Sequence, residues 1–113
     1  MNAFAAAPEA IDAILTLETD VRRSGLEPTL IELVKTRASQ LNRCAYCVEM
    51  HTREAREAGE REKRLHLLTA WQESSFYTDR ERAALAWTEA LTLVAQSHAR
   101  DEVYVILRAE DRK

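Results

Sequence analysis

Turn-forming residues are scarce in this chain, with two glycines and two prolines serving 113 residues. Strand-rich folds of this size need more of them and more β-branched positions, whereas the abundant Ala, Leu, Glu and Arg favour helix. The expected fold class is therefore all-α. Positive charge is not in excess either: 16 Lys and Arg stand against 19 Asp and Glu, a net charge of -3. No nucleic-acid partner is expected, because nothing in that balance would neutralise phosphates. The arginines are interleaved with glutamates, as on solvated helix faces. No run of about 18 apolar residues occurs, which excludes a membrane-spanning helix. Residues 1–10 lack both a basic start and a long apolar core, so no secretory signal is read and the expected location is cytoplasmic. A chain of this length is expected to form one domain, 1–113, burying about two-thirds of the surface that the unfolded chain exposes.

What is present is helical patterning. Pro8 and the apolar series Ile11, Ile14, Leu15 and Val21 predict a first amphipathic helix, stopped by Gly25. Pro28 restarts the chain, and Leu30, Ile31, Leu33, Val34, Ala38 and Leu41 mark the buried stripe of a second helix, interrupted at Asn42-Arg43. A third helix over about 45 to 58 ends near Gly59. A fourth, short helix is expected from about Arg61 to Trp71, followed by a loop from Gln72 to Thr78. Thr78-Asp79-Arg80-Glu81 has the form of a capping box, and behind it Ala83, Ala84, Leu85, Trp87, Leu91, Leu93 and Val94 give a broadly apolar helix. Residues 103–107 are β-branched, but with no second strand to pair with they are assigned to a last helix capped by Asp101. Six helices result.

Cysteine is nearly absent, and the two residues present, Cys44 and Cys47, stand in one CxxC that His51 follows four residues later. In a helix, Cys47 and His51 share a face, with Cys44 one turn before Cys47. A thiol reacts as the thiolate, which a helix N-terminus, a nearby proton acceptor and a CxxC partner all favour. In a reducing compartment such a pair is redox-active or metal-binding more often than a permanent structural disulfide. Glu32 lies twelve positions before Cys44 on the preceding helix. An antiparallel return through Asn42-Arg43 would bring its carboxylate toward His51, where it would fix the tautomer and raise the basicity of the imidazole.

Glu32 followed by Cys44-x-x-Cys47-x-x-x-His51 resembles the relay of AhpD-like alkylhydroperoxidases in the carboxymuconolactone decarboxylase superfamily. The similarity extends through residues 33–42, 71–74 and 81–92, and covers most of 28–107. It implies a helical redox enzyme that reduces hydroperoxides, or exchanges disulfides with a partner, by cycling the two cysteines. On that resemblance Cys47 is the peroxide-attacking thiol, Cys44 the resolving one, and His51 with Glu32 the proton relay. It also implies an external dithiol reductant such as a lipoyl group, with no bound cofactor or metal. The partners it implies are a lipoyl-bearing or peroxidase protein and further copies of the chain, as a trimer or hexamer.

Two departures from the family pattern are visible. The best-studied motif carries a second histidine between the cysteines, where this chain has Tyr46, and a phenol is a poor proton shuttle at neutral pH. The family commonly continues with another helix beyond the equivalent of 103–108, so an apolar surface is expected that a neighbouring subunit would cover. The residues themselves leave two other readings open. One is a non-catalytic oligomeric module whose dithiol reports redox state, and the other is a zinc site of Cys44, Cys47, His51 and a carboxylate. Trp71 and Trp87 are read as core aromatics, His66 and His98 as surface residues without partners. Arg37 and Asn42 are read as braces of the helix-loop-helix junction.

Overall fold

The computed structural model describes residues 3–112, and all regular structure among them is helical. The elements are α1 (Ala3–Ala6), α2 (Pro8–Arg22), α3 (Pro28–Leu41), α4 (Ala45–Glu57), α5 (Glu62–His66), a 3-10 segment (Leu68–Glu73), α6 (Asp79–Thr92), α7 (Val94–Ser97) and α8 (Asp101–Asp111). Gly25 and Gly59 follow α2 and α4 with φ of 94° and 99°, a left-handed conformation that costs glycine little. Pro28 occupies the first turn of α3, as expected.

Helix α3 is the centre of the molecule. It packs against α4 and α6, and α6 in turn packs against α8. Having neighbours on two sides, α3 buries polar residues with its apolar stripe: Leu30, Ile31 and Leu33 are buried, and so are Glu32, Thr36 and Ser39. The two hydroxyls bond within the helix, Thr36 to the Glu32 carbonyl at 2.6 Å and Ser39 to that of Lys35 at 2.7 Å. That removes the cost of burying an unpaired hydroxyl. Leu33, Leu68, Trp71, Tyr77 and Leu85 form the core cluster.

A second buried polar knot ties α5 to α6. Arg64, 8% exposed, pairs with Glu60 at 2.7 Å and with Glu81, and donates to the Phe76 carbonyl at 2.6 Å. The Tyr77 hydroxyl donates to the Arg64 carbonyl, and burial pushes that phenol's pKa up. The capping box is formed: Thr78 Oγ1 accepts from the Glu81 N–H at 3.1 Å, and the Glu81 carboxylate accepts from the Thr78 N–H at 2.8 Å.

Several expectations are corrected. The single helix over 61–71 is broken into α5 and the 3-10 segment, with Ala70 outside helical geometry. Beyond the break, the Arg82 guanidinium donates to the carbonyls of Trp71, Gln72 and Ser74. Those carbonyls find partners without a continuing helix. Asp101 is the first residue of α8; Arg100 precedes it and makes no side-chain cap. Helix α2 buries no residue: Ile14, Leu15 and Val21 are exposed, as are Leu91 and Val94. The amphipathic pattern there is real, yet Ile14, Leu15 and Leu17 on its apolar side face solvent.

Candidate dithiol site

The site is built at the junction of α3 and α4. The N–H of Arg43 bonds to the Gln40 carbonyl at 3.1 Å and that of Cys44 to the Ser39 carbonyl at 3.2 Å, while Arg43 is left-handed with φ of 57°. This is a Schellman ending for α3, with Arg43 where glycine is usual. Cys44 then caps α4, its sulfur accepting the Cys47 N–H at 3.3 Å. One residue thus closes one helix and opens the next, which brings α4 back antiparallel along α3 as the sequence implied. The Cα atoms of Cys44 and Cys47 are 5.3 Å apart, inside the window of about 4.4–6.8 Å that a disulfide requires. Both cysteines sit at the positive end of the α4 dipole, where an anion is favoured.

Glu32 and His51, nineteen residues apart, do meet. The Glu32 carboxylate is 2% exposed, with Oε2 3.4 Å from His51 Nδ1. The imidazole itself is mostly covered, its side chain 16% exposed, and it lies one turn below Cys47 on α4. A carboxylate at Nδ1 holds the Nδ1–H tautomer and leaves Nε2 free to take a proton.

Two members of the cluster were not foreseen. Arg22, from the end of α2, donates to Glu32 Oε1 at 2.7 Å, to Glu54 Oε2 at 3.3 Å and to Glu18 Oε1 at 3.0 Å. Glu54 Oε2 also stands 3.5 Å from His51 Nδ1. The spacing His51-x-x-Glu54 could have revealed Glu54 as a same-face neighbour; nothing local points to Arg22. Lys35 pairs with Glu18, and burial lowers its pKa while Glu54 opposes that shift.

The remaining expectations are mixed. Arg37 bonds to Glu89 on α6 at 3.0 Å, so it braces α3 against α6 and not the α3–α4 junction; Trp71 Nε1 donates to the same Glu89 oxygen at 2.8 Å. His66 is exposed but has a partner in Glu62 at 3.7 Å. Tyr46, between the cysteines, is 73% exposed. The donor atoms that converge as in a metal site are those of Glu32, His51 and Glu54, within 4.8 Å of one another. Both carboxylates of that set already face the Arg22 cation. No helix among the described residues is long and apolar enough to cross a membrane.

Comparison with known proteins places this geometry in context. The carboxymuconolactone decarboxylase family model matches residues 8–90. The uncharacterized protein YdfG of Bacillus subtilis is 42% identical over 98 residues, 87% of this chain and 67% of YdfG. The uncharacterized protein YnjA of Escherichia coli is 31% identical over 72 residues, 64% of this chain and 40% of YnjA. A crystal structure from Agrobacterium tumefaciens superposes with a TM-score of 0.91 at 44% identity, covering 97% of this chain and 75% of that one. It is of a protein of unknown function suggested to be the antioxidant defence protein AhpD.

Proposed function

The chain belongs to the carboxymuconolactone decarboxylase family, with an AhpD-like fold, and from that premise we propose that it is a thiol-dependent antioxidant enzyme that reduces hydroperoxides through Cys47 and Cys44. The observation that carries the reading is the buried Glu32 carboxylate against His51, one turn from Cys47. On this reading the carboxylate and imidazole are a proton relay beside the two cysteines.

In the proposed cycle the Cys47 thiolate attacks the terminal oxygen of ROOH. The S–O bond forms, the O–O bond breaks, and the alkoxide leaves as ROH with a proton delivered through His51. Cys47 is then a sulfenic acid. The Cys44 thiol attacks its sulfur, the S–S bond forms, and water leaves. Two thiols have become one disulfide while the peroxide has accepted two electrons. An external dithiol, such as a lipoyl group on a partner protein, returns those electrons by exchange through a mixed disulfide. Handing them on to a separate peroxidase is the same exchange run with a protein partner. Exposed Tyr46, beside both sulfurs, leaves room for such a partner to approach. A reducing, cytoplasmic setting suits the cycle.

The test begins with reduced protein and an organic hydroperoxide, following thiol loss and intact mass. Joining of Cys44 to Cys47 is expected, with turnover when dihydrolipoamide is supplied and none in Cys47→Ser. Equal peroxide consumption by that variant overturns the enzyme reading and leaves a redox-reporting module, which Tyr46 in place of a second histidine favours.

A further inference from the structure

Arg22 spends its three guanidinium nitrogens on three carboxylates, and two of them, Glu32 and Glu54, are the carboxylates that flank His51. Nη1 holds Glu32 Oε1 at 2.7 Å and Nη2 holds Glu54 Oε2 at 3.3 Å, while His51 Nδ1 lies 3.4 Å from Glu32 Oε2 and 3.5 Å from Glu54 Oε2. We propose that Arg22 is the positioning residue of the relay: its fork sets both carboxylates so that His51 Nδ1 is held between them and Nε2 is left free. This inference rests on the proposed relay and adds to it a residue from outside the motif.

Glu32 is 2% exposed, and a carboxylate so enclosed requires a full counter-charge and a donor for each oxygen. His51 serves Oε2 and Arg22 serves Oε1. Without Arg22, Oε1 is left buried and unpaired, and the carboxylate loses the bond that fixes its rotation. Glu54 loses its cation at the same time and becomes an equal claimant for the imidazole. A lysine cannot substitute, since a point charge on a flexible stem reaches one carboxylate, whereas a planar fork with donors on three sides reaches all three.

The placement of Arg22 gives the arrangement a second property. Helix α2 buries no residue; its ion pairs with the body of the fold are Arg22 to Glu32 and Glu54, and Glu18 to Lys35. Seating of α2 and the hold on Glu32 and Glu54 therefore share one residue, Arg22.

The experiment compares wild type with Arg22→Gln, Arg22→Lys and, as control, Arg53→Gln, which removes an exposed α4 arginine paired to Glu49. Three readouts are taken: hydroperoxide-dependent kcat and KM, thermal midpoint, and the imidazole nitrogen shifts of His51 by NMR, assigned with His51→Gln. For Arg22→Gln, kcat falls about tenfold to a hundredfold, the range known for residues that orient a functional ligand, with KM within about twofold. The His51 nitrogens move toward a mixture of tautomers, and Arg22→Lys restores less than half of the loss. Should Arg22→Gln not fold, Arg22→Lys alone decides, since wild-type kcat and unchanged His51 shifts there overturn the proposal. Wild-type kcat and shifts in Arg22→Gln overturn it directly. If no protein consumes peroxide, the enzyme reading fails while the His51 shifts still report whether Arg22 positions the ring.

Discussion

The Cys44 N–H bonds to the Ser39 carbonyl, closing α3, while the Cys44 sulfur accepts from Cys47 and opens α4. The dithiol is thereby pinned to a helix junction whose turning residue, Arg43, is left-handed. An L-residue with a side chain costs roughly 1–2 kcal/mol in that conformation, and glycine is largely relieved of it. Arg43→Gly is expected to stabilise the protein by about 1 kcal/mol, raising the thermal midpoint by about 4 °C. A β-branched Arg43→Val should lower it. A calorimetric scan that finds Arg43→Gly less stable than wild type would show the strain to be misassigned.

Burial of Glu32 makes the relay sensitive to a near-isosteric change. In Glu32→Gln the volume stays, but the charge that balances Arg22 and orients His51 is lost. Peroxide-dependent oxidation of the dithiol should slow by about a hundredfold, similar to His51→Gln, within the range of about 10²–10⁴ for general acid–base groups. The double variant should lose little more than either alone, because the two act as a unit. Stopped-flow thiol loss measures this, and additive losses would separate Glu32 from His51.

How much of this was legible in the sequence follows from the range of the interactions. Helix boundaries set by Pro28, Gly25, Gly59 and the Thr78 capping box are local chemistry and appear where expected. The meeting of Glu32 and His51 was legible through the family resemblance and the CxxC spacing. Arg22 was not, because its bonds to Glu32 and Glu54 span 10 and 32 residues and leave no periodic trace. Nor was the break at Ala70, just beyond which Arg82 reaches back to three carbonyls from another helix. The apolar pattern of α2 is legible in the sequence, but amphipathicity reports that a face needs cover and not what covers it.

The Arg64–Glu81 pair makes the stability of the fold depend on pH on the acid side. Burial pushes the Glu81 carboxyl up, but hydrogen bonds from Arg64 and Thr78 together with the Arg64 charge outweigh it and hold the pKa below the ordinary glutamate value. A carboxyl lowered in the folded state contributes stability that is complete above the unfolded value of about 4.3 and drains as pH falls through the folded one. Urea midpoints should therefore stay level from about pH 7 to 5 and decline below about 4. Glu81→Gln should cost about 3 kcal/mol at neutral pH, as expected when one partner of a covered ion pair is removed, and should flatten the decline. An unchanged acid slope in that variant would assign the decline to other carboxyls.

Exposed apolar side chains supply a prediction about assembly. Ile14, Leu15 and Leu17 on α2, and Tyr104, Val105 and Ile106 on α8, are open to solvent, the kind of surface that another copy would cover. The proposed homo-oligomer, a trimer or hexamer, would bury them. Light scattering should give a multiple of the 12.9 kDa chain mass, and Ile106→Asp or Leu17→Glu should shift it toward the monomer. A monomer in the wild type at micromolar concentration would remove the proposal.

Tyr46 offers the sharpest test of how protons enter the site. On α4 it is one residue from Cys47, about 100° around the helix from the face that carries Cys47 and His51, and it is 73% exposed. A histidine at this position would therefore work as a surface collector of protons, not as a second partner for Glu32. Tyr46→His is expected to raise the rate of dithiol oxidation by hydroperoxide near neutral pH, by up to about tenfold, because an imidazole exchanges protons there and a phenol does not. The gain should vanish in the Tyr46→His, His51→Gln double variant if protons pass through the buried relay in both proteins. A gain that survives loss of His51 would mean that the introduced imidazole serves the thiols directly, and the relay through Glu32 would then be one route among two.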